Sequence, residues 1–172
     1  MTTTDGRDRP DGHAGEREML EGWLEFHRAT LAAKCEGLDD KRLREASVPP
    51  SDLSLLGLVR HLAEVERGWF RRVLADEDVP RIYCTEADPD GDLHPAPDHT
   101  WEEAYATWQG EIARARELAA ATPSLDTVGA GRHRSGTTHN LRWIYTHMIE
   151  EYARHNGHAD LIRERIDGAT GE

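Results

Sequence analysis

Three histidines and two adjacent glutamates lie within the segment HMIEEYARHNGHAD, which runs from His147 to Asp160. Glu151 and His155 are four positions apart, so on a helix they share one face, about 6 Å apart along the axis and about 40° around it. A carboxylate and an imidazole at that spacing can both bind one metal ion with bonds of about 2.0–2.2 Å. The segment therefore predicts part of a metal site.

The register of this segment predicts that the two groups face the interior of the protein. Steps of three and four residues, typical of the packed face of a helix in a bundle, connect a series of positions that is apolar at both ends and polar in the middle. These positions are Leu141, Ile144, Met148, Glu151, His155, His158 and Ile162. A buried carboxylate is unfavourable without a partner, so we expect a metal ion or a cationic side chain beside Glu151.

A third ligand has to come from another helix, and His61 in GLVRHLAEVERGWF is the candidate. It lies one turn from Leu58 and from Val65, at the edge of the apolar face of that helix. Three protein ligands with an open position are typical of a catalytic metal site. From spacing alone, this interpretation and that of a hydrogen-bonded core histidine stay equally open.

The remaining histidines of the segment receive subordinate roles. His147 lies four positions before Glu151 and is interpreted as a residue at the rim of the site, whereas His158 could replace or support a ligand. A di-iron bundle would need Glu-x-x-His motifs on two helices. Neither Glu150 nor Glu151 is followed by such a histidine, so the di-iron interpretation is excluded.

Four long helices are predicted to position these residues. They cover about 16–36, the segment that begins after Ser54 as N-cap, the segment from Thr100 to about 121, and about 140–166. Thr100 and Glu103 have the spacing of a capping box. Because no segment has the pattern of a strand, the fold class is predicted to be all-α, a four-helix bundle with long loops. Residues 1–14 are expected to form a flexible tail and 15–172 the bundle domain.

Composition excludes several classes of function. The formal net charge is −12, with 33 acidic and 21 basic residues. Nucleic-acid binding requires clustered Lys and Arg, so a nucleic-acid partner is not expected. The apolar segments are too short to span a membrane and the N-terminus lacks the pattern of a signal peptide, which predicts a cytoplasmic protein without a membrane partner. Cys35 and Cys84 form no CxxC motif and are interpreted as ordinary thiols.

Two longer segments carry a family resemblance. VPPSDLSLLGLVRHLAEVERGWFRRVL and LRWIYTHMIEEYARHNGHADLIRERIDGATGE closely resemble the DinB-like superfamily, most of all its actinobacterial branch of mini-circle proteins, a domain of unknown function. The resemblance extends from about Glu16 to the C-terminus. It implies a four-helix bundle with a divalent metal between the second and fourth helices. The implied ligands are His61, Glu151 and His155, and the Glu-x-x-x-His pair is similar to that of mycothiol-dependent maleylpyruvate isomerase.

The resemblance also implies a function. It points to an S-transferase or isomerase that uses a low-molecular-weight thiol, with mycothiol as the first candidate, and a small-molecule electrophile. It also allows a homodimer. The expected metal is zinc, with nickel and manganese as alternatives. A cleft lined by Trp69, Phe70 or Trp143 could accept the substrate, but the favoured interpretation of these aromatic residues is that they belong to the core. The alternatives are a non-catalytic bundle braced by its metal, a ligand-binding protein, and a metal-dependent hydrolase.

Overall fold

The computed structural model describes residues 7–171, and within them the chain is helical. The helices are α1 (Glu16–Cys35), the single turn α2 (Asp40–Leu43), α3 (Leu55–Glu66), α4 (Trp101–Ala121) and α5 (Leu141–Asp167). The described residues contain no strand beyond an isolated antiparallel bridge between Val128 and Asn140. The predicted all-α class is thereby confirmed; the second and fourth predicted long helices are α3 and α5. The one-turn helix α2 was not predicted.

The helix boundaries follow from side chains that cap the free N–H groups of each first turn. Ser54 accepts a hydrogen bond from the Gly57 amide at the start of α3, as predicted. Thr100 and Glu103 form the predicted capping box of α4. Asn140 caps α5, and Gly168 ends that helix with a φ of 79°, a conformation that glycine adopts without strain.

The helix α3 continues without a break as a π-helical segment, Arg67–Leu74. The amide of Ala75 accordingly donates to the carbonyl of Phe70, five residues back, at 3.2 Å. A π-helix has wider turns than an α-helix. In an α-helix, two residues four positions apart differ by about 40° around the helix axis. In the π-helical segment this angle is smaller. The sequence predicted a helix through this region but not its π register.

Four helices are joined by one buried chain of hydrogen bonds. Arg28 of α1 donates through Nε and Nη2 to the carboxylate of Glu66 in α3, at 2.8 and 2.7 Å. The same carboxylate accepts from the hydroxyl of Tyr152 in α5 at 2.8 Å, and that hydroxyl accepts from Nε1 of Trp108 in α4 at 2.8 Å. All four residues are buried. The chain thus fixes the spacing of the helices from within the core.

The loop before α5 lies against the end of the π-helical segment. Ala130 and Gly131 donate backbone hydrogen bonds to the carbonyls of Leu74 and Val73, both at 3.0 Å. A Cβ at Gly131 would lie 2.0 Å from the carbonyl oxygen of Arg72, so only glycine permits this approach. The contact places the following residues, 132–139, beside Trp69.

The predicted tail is described only in part, because residues 1–6 lie outside the described residues. Arg7 donates to the hydroxyl of Thr30 at 2.5 Å, and its guanidinium lies 5.0 Å from the centre of the Phe26 ring. The flexibility of the tail and the domain boundary near residue 14 stay predictions.

Among the described residues, no helix combines the length and the apolar character needed to cross a membrane.

Candidate functional site

The structure brings His61, Glu151 and His155 together, although they come from two helices. One ligand atom of each residue lies within 4.8 Å of the other two. Oε2 of Glu151 is 3.5 Å from Nε2 of His155 and 3.9 Å from Nε2 of His61. The two imidazole rings have their centres 4.6 Å apart. These are the three residues that the sequence predicted to meet.

The separations fit a divalent cation better than they fit direct hydrogen bonds. Both distances from Glu151 exceed the range of an N–H···O hydrogen bond, about 2.7–3.2 Å. In a tetrahedral site with bonds of about 2.1 Å, ligand atoms lie about 3.4 Å apart. The observed spacing of 3.5 and 3.9 Å would need only a small contraction. Two imidazoles and one carboxylate are also a donor set that zinc accepts.

Asp92 orients the imidazole of His61. Its Oδ2 lies 2.8 Å from Nδ1 of His61, and its side chain is buried. When Nδ1 donates to Asp92, the lone pair of Nε2 is free to bind a metal ion, the arrangement in which carboxylates commonly hold metal-binding histidines. Sequence reasoning missed this residue. Asp92 is one of several aspartates in a long loop, and no spacing rule distinguishes it from the others.

The charges of the site favour an ionised carboxylate and a protonated His61 when no metal is present. Burial works to lower the pKa of His61, but the hydrogen bond to Asp92 and the negative charges of Asp92 and Glu151 outweigh it and raise that pKa to about 9. The proximity of His155 and then of His61 holds the pKa of Glu151 well below its ordinary value, against the effect of burial. A metal ion that binds at neutral pH must therefore displace a proton from His61.

Two further histidines lie beside the three residues. Nε2 of His147 is 3.3 Å from Oε1 of Glu151, which agrees with its predicted place at the rim. His147, Glu150 and Glu151 form a second, more exposed group of ligand atoms within 4.8 Å of one another. Nδ1 of His158 lies 3.4 Å from Nδ1 of His155, on the side away from Glu151.

The middle of α5 differs from the predicted core face by one position. Leu141, Ile144, Met148 and Ile162 are buried as predicted, but in the middle of the helix the most buried residues are Tyr152 and Asn156. Glu151 and His155 lie at the flank of the core instead, with side chains 22% and 12% exposed. They are therefore accessible to a small molecule, which a fully buried pair would not be.

A cleft of about 690 Å³ opens beside this site, with His61, Asp92 and Glu151 in its wall. The remaining walls come from α3 and its π-helical extension, residues 81–93, residues 132–139 and α5. Trp69 and Trp143 line the cleft, and Trp69 also belongs to the hydrophobic core. Phe70 does not line the cleft, because its ring points to the other side of the π-helical segment and packs near Tyr145.

A comparison with protein families identifies the chain. A family model described as Mycothiol-S-transferase matches residues 19–168. The chain belongs to the mycothiol S-transferase family. The DinB-like resemblance of its two segments is thereby confirmed. A search of curated proteins gave no significant match.

The residues matched by the family model include the candidate metal site and the cleft beside it. The match to the mycothiol S-transferases includes α3, α5 and the loop that carries Asp92. His61, Glu151 and His155 all lie within it, as do both tryptophans of the cleft. A thiol is accordingly the class of substrate that the family implies, and the cleft beside the three residues has room for it.

Replacing Asp92 by asparagine is expected to weaken metal binding by about 10–100-fold. The substitution removes the carboxylate that orients the His61 ring and makes its Nε2 more basic. The affinity is measured by competition with a chelator of known strength. The matched control is Asp90→Asn, which lines the same cleft two residues away but is exposed. Equal metal affinities for the two variants would contradict the orienting role of Asp92.

Proposed function

We propose that the protein is a metal-dependent mycothiol S-transferase whose divalent cation is held by His61, Glu151 and His155. The convergence of these three side chains beside an open cleft carries the proposal. Zinc is the preferred cation because of the two imidazoles and one carboxylate, with nickel and manganese as alternatives. A cation held there would lower the pKa of a thiol that reaches it, so that thiolate is present at neutral pH.

The chain itself offers no reactive thiolate, which supports a thiol from outside. Burial raises the pKa of Cys84, the cysteine that lines the cleft, to about 11. Burial also raises the pKa of Cys35 to about 12, and this residue lies in the core away from the cleft. Since the thiolate is the nucleophilic form, neither side chain is suited to attack a substrate at neutral pH.

The reaction is a nucleophilic substitution or addition by mycothiol. The thiol loses its proton, sulfur forms a bond to the electrophilic carbon, and the leaving group departs with the electron pair of its broken bond. In an addition to a conjugated double bond, no group leaves and the neighbouring carbon takes up a proton. The role of the protein is to hold both reactants in the cleft and to exclude alternative orientations.

Three alternatives from the sequence compete with this function: a metal-braced bundle, a ligand-binding protein and a hydrolase. In a metal-braced bundle the cation would stabilise the fold without catalysis, and in a hydrolase the nucleophile would be water. The partial exposure of Glu151 and His155 and the adjoining cleft argue against a closed structural site. A cytoplasmic location and a homodimer stay predictions.

Removal of the metal is expected to abolish the conjugation of mycothiol to monochlorobimane, measured by fluorescence. One of zinc, nickel or manganese is expected to restore it to the stripped protein. The content of each metal in the purified protein is determined in parallel. Full activity of the stripped protein would refute a metal-dependent reaction. A large drop in melting temperature on chelation, with no turnover by the loaded protein, would instead favour the metal-braced bundle.

A further inference from the structure

Four arginines line the cleft beside the candidate metal site, and within residues 7–171 none of them forms an ion pair. They are Arg72, Arg81, Arg132 and Arg134, and all four are exposed. Their grouping is unexpected in a chain with a net charge of −12. Elsewhere, arginines such as Arg67 and Arg71 are paired with glutamates at 2.6 Å.

Most carboxylates of the same cleft are already engaged. Asp92 holds His61, and Glu151 belongs to the three candidate ligands. Glu64 accepts hydrogen bonds from the backbone amides of Ile82 and Tyr83, at 2.7 and 2.9 Å. Asp90, exposed at the rim, is the fourth carboxylate. Three of the four carboxylates are thus held by other groups, and in the described part of the chain none of the four forms an ion pair with an arginine of the cleft.

Planar rings line the same cleft as these arginines and two of the candidate ligands. The ring of His133 stacks on Trp69, with the centres 5.1 Å apart and the planes 3° from parallel. Trp143, which is 42% exposed, stacks on His147 at 4.9 Å. Burial and the neighbouring charge of Arg134 lower the pKa of His133, so its ring is neutral at pH 7. A flat, unsaturated molecule would find favourable contacts on these rings.

The chain brings arginines to both sides of the Trp69–His133 stack. Arg72 follows Trp69 by three residues on the π-helical segment, and both residues line the cleft. Arg132 and Arg134 flank His133 in the loop that the contact of Gly131 with Arg72 holds against this segment. Guanidinium groups beside flat rings match a molecule that has a planar body and an anionic group.

We propose that the cleft selects an anionic electrophile, one that carries a carboxylate or sulfonate on a planar, unsaturated body. This inference rests on the proposed function, because it concerns the second substrate of the same site. Mycothiol is a sugar derivative without an anionic group other than its thiolate, so it gives the four arginines no partner. The arginines hold the anion of the electrophile at the outer end of the cleft, and the rings orient its reactive carbon toward the thiol.

The test uses two inert probes of nearly the same shape, naphthalene-2-sulfonate and the neutral methyl 2-naphthyl sulfone. Binding to the purified protein is measured by calorimetry without mycothiol. We expect the sulfonate to bind at least about tenfold more tightly than the sulfone and to lose affinity as the salt concentration rises. Arg72→Gln should weaken sulfonate binding by about tenfold and leave sulfone binding unchanged. Arg72→Gln/Arg134→Gln should weaken sulfonate binding further, because only Arg81 and Arg132 remain.

Arg42→Gln is the matched control, because Arg42 is exposed in α2 and does not line the cleft. It should change the binding of neither probe. Unchanged sulfone binding shows that each variant keeps the shape of the cleft. Equal affinities for the two probes, or a sulfonate affinity that is unchanged in the double variant, would overturn the inference. Monochlorobimane carries no charge, so its conjugation tests the proposed function separately from the selection of anions.

Discussion

His155→Ala is expected to lower the affinity for the divalent cation by more than about a hundredfold. Loss of a residue that only orients a ligand lowers metal affinity by up to about a hundredfold, and loss of a ligand itself should have a larger effect. His155 offers Nε2 at 3.5 Å from Oε2 of Glu151 and is the least exposed of the three candidate ligands. Without it, one carboxylate and one imidazole remain, too few for a tight site. Conjugation of mycothiol to monochlorobimane is expected to fall with the metal content.

The comparison with other histidines makes this experiment specific. His158→Ala is expected to have a small effect, because His158 contacts the face of His155 that is turned away from Glu151. His94→Ala serves as the control, since this half-exposed histidine lies in the loop near Asp52 and Asp88. Metal content and turnover are measured for all three variants. If His158→Ala removes the metal and His155→Ala does not, the assignment of His155 as a ligand is wrong.

Glu66→Ala is expected to lower the free energy of unfolding by about 3–5 kcal/mol, the usual effect of removing one partner of a buried ion pair. The substitution leaves the buried guanidinium of Arg28 with only the half-exposed Glu25, at 2.7 Å. It also removes the acceptor of the Tyr152 hydroxyl. The measurement is chemical denaturation of the metal-free protein, followed by circular dichroism.

Two comparisons separate the loss of the pair from a general effect of losing a glutamate. Glu117→Ala removes an exposed partner of Arg114 and should change stability by no more than about 1 kcal/mol. The double variant Arg28→Met/Glu66→Leu fills the space with apolar groups and should recover most of the loss. If Glu66→Ala is no less stable than Glu117→Ala, the buried chain of hydrogen bonds does not hold the helices together.

The effect of Glu66 should also reach the candidate metal site. Its hydrogen bond to Tyr152 connects α3 with α5 five residues after His61 and one residue after Glu151. Glu66 and Tyr152 are both buried, and neither lines the cleft. Because their hydrogen bond helps to fix the distance between these helices, weaker metal binding is expected in Glu66→Ala wherever the variant is still folded.

The sequence alone determined the parts of the fold that depend on near neighbours. Ser54, and Thr100 with Glu103, were recognisable as caps because a cap bonds an amide two or three residues away. Glu151 and His155 were recognisable as a pair because a helix places residues four apart on one face. Their meeting with His61 was inferred from the apolar face of a second helix and from the family resemblance.

Tertiary structure alone decided which distant residues complete the site. Asp92 and the four arginines of the cleft come from loops and from the π-helical segment, and no spacing along the chain indicates that they meet. Phe70 and Trp69 are neighbours in sequence, yet they face opposite sides of that segment. The physical reason is the range of the interactions. Capping and helix periodicity act over one turn, whereas the path of a loop depends on the whole packed surface beneath it.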